Sequence, residues 1–122
     1  LSEQVKGAGM IATETHGDVT VVIIETDLDA TKSQKAKQLL GETIQEGNVK
    51  IVVDLSSVAF IDSSGLGALV SALKRVRPSG GDVRICGASK EVETIFELTR
   101  LTKVFRMFGD RQTALASFQR NG

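Results

Sequence analysis

Apolar positions along the chain change their period several times, and each change marks an element. Val19-Thr20-Val21-Val22-Ile23-Ile24 is apolar at nearly every position, the pattern of a strand covered on both faces and therefore internal to its sheet. The run over 10–15 reads as its antiparallel partner, joined through His16-Gly17-Asp18, where glycine supplies the positive φ of a tight turn. Asp29 then offers a helix N-cap. Ala36, Leu39, Leu40 and Ile44 recur at helical spacing until Gly47-Asn48, which predicts a first helix over 30–46.

A strand over 50–55 follows, and strand–helix–strand order with a long crossover implies parallel pairing. Leu66, Leu69, Val70, Leu73 and Val76 form the stripe of a second amphipathic helix, ended by Pro78-Ser79-Gly80-Gly81. Asp82–Cys86 reads as the next strand. Ser89 can cap a third helix carrying Val92, Ile95 and Phe96, after which Leu101, Val104 and Phe105 suggest a short strand or a docked segment. Asp110 can cap a last helix with Ala114, Leu115 and Phe118 inward. The elements add up to one α/β domain: a small mixed sheet, with an N-terminal antiparallel hairpin and parallel crossovers, packed with about four helices.

A length of 122 residues suits one domain with a real core. The domain is expected over 10–120, behind a flexible N-terminal segment at 1–9. Fifteen basic residues balance fifteen acidic ones, so no overall field would hold the protein on nucleic acid or on an anionic membrane. Cys86 is the only cysteine, which excludes an internal disulfide and fits a reducing compartment. No apolar run approaches the roughly 20 residues of a membrane span, and the N-terminus lacks a signal-peptide build. The expectation is a cytoplasmic protein without membrane insertion.

Enzyme chemistry finds little footing. There is no GxxxxGK[ST] phosphate loop and no CxxC pair, and the single histidine, His16, cannot build a histidine-rich metal site. His16 falls in the expected turn, where a solvated side chain is the ordinary reading. No GxSxG elbow surrounds a serine, and Cys86 on an apolar strand reads as a small core residue. Without Trp or Tyr, and with five Phe spaced like core positions, no stacking platform for bases is present. The expectation is a non-enzyme with no metal and no cofactor.

Chemistry concentrates instead in Ile51-Val52-Val53 through Val70, where a buried strand passes through a loop ending in Asp62-Ser63-Ser64 into a helix opening Gly65-Leu66-Gly67. Asp and Ser are leading N-cap residues, which accounts for one polar residue there but less well for two serines. Gly65 and Gly67 have two readings: close helix-to-sheet contact, or an uncluttered surface that a partner protein can approach. Glycine costs a helix roughly 1 kcal/mol relative to alanine, so either reading must repay it.

The segment DLSSVAFIDSSGLGALV resembles the signature of the anti-sigma factor antagonists, bacterial members of the STAS domain family. The order of elements is similar to that family from about Met10 to Phe118. The family's Gly-Glu-Leu-Asp ahead of the first helix appears as Thr26-Asp27-Leu28-Asp29, with Thr26 in place of glycine. The resemblance implies that Ser63 is a phosphoacceptor framed by Asp62, Ser64 and Gly65. It implies a partner-binding surface comprising Asp27, Asp29, Asp62, Ser63, Ser64, Gly65, Leu66 and Gly67.

The implied function is a partner switch. The unphosphorylated protein binds an anti-sigma factor that is also a serine kinase, so that a sigma factor is released; phosphorylation separates the pair, and a PP2C-type phosphatase resets it. ATP and its magnesium belong to the kinase, and the free protein is expected to be a monomer. Within the same fold the alternatives are a stand-alone STAS scaffold and a transporter-associated subunit. A phosphoaspartate receiver built on Asp54 is a more distant one, since no acidic pair follows the first strand.

Overall fold

A computed structural model of the chain describes residues 5–8 and 11–119. Six strands form one sheet in chain order: β1 (Val5–Ala8), β2 (Ile11–His16), β3 (Val19–Ile24), β4 (Lys50–Asp54), β5 (Asp82–Cys86) and β6 (Met107–Phe108). The pairs β1/β2 and β2/β3 are antiparallel, and every later pair is parallel. The helices are α1 (Ala30–Gln45), α2 (Ser63–Val76), α3 (Lys90–Leu98) and α4 (Arg111–Gln119).

Alternation along the strands sorts the helices between two faces. Val22 and Ile24 of β3, Ile51 and Val53 of β4, and Val83 and Ile85 of β5 point into the main core, with Leu40 of α1, Leu69 and Leu73 of α2, and Phe96 of α3. The intervening residues Val19, Val21, Val52 and Cys86 meet Ala114 of α4, with Leu115 and Phe118 packed alongside. β3 is thus covered on both sides, as its unbroken apolar run requires. Truncating a fully buried leucine such as Leu69 to alanine costs about 2–5 kcal/mol.

Local outcomes at four places differ from the sequence expectation or choose between its alternatives. Val5–Ala8, within the segment expected to be flexible, pairs with residues 11–14 as an edge strand; backbone ladders need no apolar alternation, so no pattern marks it. The other residues of 1–9, together with Met10 and Arg120 at the expected domain limits, lie outside the described residues. His16 is not in the turn but pairs with Val19 as the last residue of β2, leaving Gly17 at φ +65° and Asp18 to turn the chain.

Of the short strand and the docked segment expected around Leu101 and Phe105, the docked segment forms: Leu101–Lys103 is a 3₁₀ turn, and Phe105 packs edge-to-face on Phe96 at 5.9 Å. Val104 faces solvent, and the strand itself is Met107–Phe108. Finally, Phe60 does not share the core expected for the phenylalanines: it is 49% exposed.

Candidate functional site

The parallel strands β3 and β4 deliver their C-terminal ends side by side, and the two loops that follow are stitched together. Asp27 Oδ1 accepts the N–H groups of Ala59 at 2.9 Å and Phe60 at 3.1 Å. Leu28 forms a parallel bridge with Ile61, donating its N–H to Phe60 O at 3.0 Å while its carbonyl accepts from Asp62 N at 3.1 Å. The start of α1 is thereby fixed against the start of α2. Open α/β sheets place ligand and partner sites at this end of parallel strands.

Each helix start carries an aspartate cap. Asp29 Oδ1 accepts from the N–H groups of Thr31 and Lys32 at 3.1 and 3.0 Å. Asp62 Oδ1 accepts from Ser64 Oγ at 2.6 Å and Gly65 N at 3.1 Å. The Ser64 hydroxyl bond, and then the Gly65 N–H, hold the Asp62 carboxyl below the usual carboxylate range. Asp62 is therefore charged at neutral pH.

The two serines differ. Ser63, the first residue of α2, is exposed, and its hydroxyl makes no hydrogen bond among the described residues. Ser64 gives its proton to Asp62, and its oxygen stands 3.0 Å from Ser33 Oγ on α1. One hydroxyl is free at the helix N-terminus; the other is tied between two helices.

The glycines divide as well. A Cβ on Gly65 would lie 2.8 Å from Ile61 Cγ1, 2.8 Å from Leu28 Cβ and 2.9 Å from Leu28 O, so glycine is what lets α2 seat on the stitched loops. A Cβ on Gly67 would meet nothing within 4 Å. The close-contact reading holds for Gly65, and the open-surface reading holds for Gly67.

Sequence comparison adds the family: the STAS domain model matches residues 10–114. The chain belongs to the STAS domain family. It is 27% identical over 110 residues to the anti-sigma F factor antagonist of Paenibacillus polymyxa, covering 89% of this chain and 94% of the relative. It is 32% identical over 91 residues to an anti-sigma-B factor antagonist of Staphylococcus epidermidis, covering 75% and 84% of the two chains. Among solved structures, a candidate anti-sigma factor antagonist of Thermotoga maritima superposes with a TM-score of 0.86 at 26% identity, over 92% of this chain and 97% of that one. SpoIIAA of Bacillus, solved in its phosphorylated form, shares the fold with a TM-score of 0.67 at 16% identity, over 97% and 99% of the chains.

In this STAS domain the eight residues expected at a partner surface do gather at one end of the sheet, but they are not equally presented. Asp27, Asp29, Ser63, Ser64 and Gly67 are exposed and Asp62 is half-buried, whereas Gly65 is buried and Leu66 is only 8% exposed. Gly65 and Leu66 therefore shape this end of the domain from behind its surface. Two neighbours escaped the sequence reading. Phe60 projects from the stitched loop, its only signal being a large aromatic just before a helix cap. Ser33 is 5% exposed, and its signal is a polar residue on the inward stripe that continues through Ala36 and Leu40.

Asp54, the acid a receiver reading would use, is 6% exposed and fully engaged. Its Oδ1 accepts from the Ser56 N–H and hydroxyl, and its Oδ2 accepts from Arg111 Nε at 3.1 Å and Nη2 at 2.9 Å. Arg111 Nη1 continues to Glu14 at 3.0 Å, and His16 Nε2 lies 3.0 Å from the same carboxylate oxygen. Burial alone would raise the Asp54 carboxyl, but the Ser56 and Arg111 bonds outweigh it and hold it low. Asp54 is thus the anchor that ties α4 to the sheet. Among the described residues no cluster of His, Cys, Asp or Glu could hold a metal ion, and no helix is long and apolar enough to cross a membrane.

Proposed function

We propose that this STAS domain is an anti-sigma factor antagonist worked as a phosphorylation-controlled partner switch, with Ser63 as the phosphoacceptor. The unphosphorylated chain, a cytoplasmic monomer when free, binds an anti-sigma factor that is also a serine kinase and so releases a sigma factor. A PP2C-type phosphatase resets the phosphorylated form. The chain itself catalyses nothing; it is the substrate of its partner.

One observation carries the choice of acceptor: of two adjacent serines at the start of α2, only Ser63 offers an exposed hydroxyl free of other bonds. A phosphate there adds about −1.5 to −2 charges and three acceptor oxygens. It arrives beside the charged Asp62, in a surface that also carries Asp27 and Asp29 and must lose its water when a partner docks. Within the domain, the α2 N-terminus offsets the new charge by about 0.3–1 kcal/mol. Recognition changes while the fold persists. Phe60 and the open surface at Gly67 complete the docking face: an apolar anchor beside helix backbone that a partner can approach closely.

The test is direct. Ser63→Ala keeps the binding surface but cannot be modified, so immobilised S63A retains the kinase from native lysate in the presence of ATP. The recovered kinase then phosphorylates the unaltered chain, and peptide mass spectrometry locates the phosphate. Phosphate confined to another residue refutes the assignment. Retention of a stress-signalling assembly or of a transporter ATPase in place of a kinase would instead support the scaffold or transporter readings.

A further inference from the structure

Ser33 lies on the buried stripe of α1, 31 residues away from Ser64 in sequence, yet its hydroxyl reaches across the helix–helix contact to Ser64. The local arrangement is a chain of three polar groups. Ser64 donates to Asp62 Oδ1 at 2.6 Å, a short charge-assisted bond, so its oxygen presents only lone pairs to Ser33. Ser33 Oγ stands 3.0 Å from that oxygen and 3.1 Å from Ala30 O, and its one proton is shared between them. No buried polar side-chain atom among the described residues lacks a partner, so this chain satisfies itself without a ligand.

We propose that Ser33 is the positioning residue that confines phosphorylation to Ser63, by holding Ser64 in an orientation in which its oxygen cannot act as the nucleophile. This rests on the acceptor role proposed for Ser63. Phosphoryl transfer from ATP forms a bond from the serine Oγ to the γ-phosphorus, breaks the bond from that phosphorus to the β,γ-bridging oxygen, releases ADP, and passes the hydroxyl proton to a base. Transfer needs an Oγ lone pair aimed in line at the incoming phosphorus. Ser63 meets that need from the first turn of α2. Ser64 is otherwise the more reactive of the two, because Asp62 already accepts its proton, in the position of a general base. What withholds it is the Ser33 hydroxyl, which holds its oxygen from the α1 side and engages a lone pair. Without that hydroxyl, only the Asp62 bond orients Ser64, and the lone pair that faced α1 is open to an incoming phosphorus.

Four proteins test the inference against the recovered kinase and radiolabelled ATP: the unaltered chain, Ser63→Ala, Ser33→Ala and the double variant. The unaltered chain is expected to carry label on Ser63 alone, and S63A to carry only a slow trace on Ser64. The double variant S33A/S63A is expected to gain label on Ser64 at a rate about tenfold or more above S63A, the factor that a lost hydrogen bond of ~1.4 kcal/mol corresponds to. S33A alone should divide its label between Ser63 and Ser64. Position of label is a readout that loosened packing by itself would not move, and far-ultraviolet circular dichroism with a thermal melt establishes that each variant is folded. A folded double variant as resistant as S63A overturns the role of Ser33 while leaving Ser63 as the acceptor. An unaltered chain without label on Ser63 overturns both.

Discussion

Gly65 and Gly67 sit two residues apart in the first turns of one helix, and the same substitution should have opposite effects at the two sites. A methyl on Gly65 would meet Leu28 Cβ and Ile61 Cγ1 at 2.8 Å and Leu28 O at 2.9 Å, all inside normal contact. The Leu28 atoms cannot withdraw without pulling on the Leu28–Ile61 bridge and on the bond from Asp62 N to Leu28 O. Overpacking of this kind costs about 1–3 kcal/mol, here at the upper end because backbone must move. Against it stands the helix-propensity gain of alanine over glycine, about 1 kcal/mol. Gly65→Ala should therefore destabilise by about 2 kcal/mol net, whereas Gly67→Ala, with nothing within 4 Å, keeps the whole gain of about 1 kcal/mol. Urea denaturation followed by circular dichroism measures both, with an unchanged slope as the sign that only stability has moved. If Gly65→Ala were as stable as the unaltered chain, the claim that Gly65 seats α2 on the stitched loops would be refuted.

Other outcomes follow from the contacts of Arg111, Cys86 and Phe60. Arg111→Met should cost about 2–3 kcal/mol, because Asp54 stays buried with only Ser56 to satisfy it. Since Asp54 has its folded-state carboxyl held below the unfolded value, its contribution is complete above about pH 4 and is lost as acid protonates it; D54N should flatten that part of the acid-denaturation curve. Burial, and next the charge of Asp54, push the Cys86 thiol up to about 12, so Cys86 should resist a thiol reagent at neutral pH until the chain is unfolded. Phe60→Ala should leave the melting temperature unchanged, because the ring is half in solvent, while weakening capture of the kinase by more than ~1 kcal/mol in titration calorimetry.

What the sequence makes legible is whatever a residue does with its near neighbours. The doubly covered run Val19–Ile24, the stripe of α2 and the caps at Asp29, Asp62 and Ser89 all act within a turn or two, and each falls where its local pattern puts it. The edge strands resist such reading: β1 and β6 exist because backbone groups find a ladder, and two residues of β6 are too few to show a period. The missed parts of the site are long-range. Arg111 reaches Asp54 across 57 residues and Ser33 reaches Ser64 across 31, and no spacing rule connects such pairs. Asp54 shows the same limit from the other side, for an acid ending a central strand invites a catalytic reading until its two oxygens are seen to be occupied. Gly65 and Gly67 are indistinguishable by type, and only what lies opposite each one assigns its role.

In the proposed switch, charge placed on Ser63 controls partner binding. That control is tested most directly by titrating the recovered kinase with the unmodified chain and with the chain stoichiometrically phosphorylated at Ser63. The phosphorylated form should bind with a dissociation constant at least ~100-fold weaker, since like charge in a desolvated interface costs several kcal/mol. Equal affinity of the two forms would contradict it.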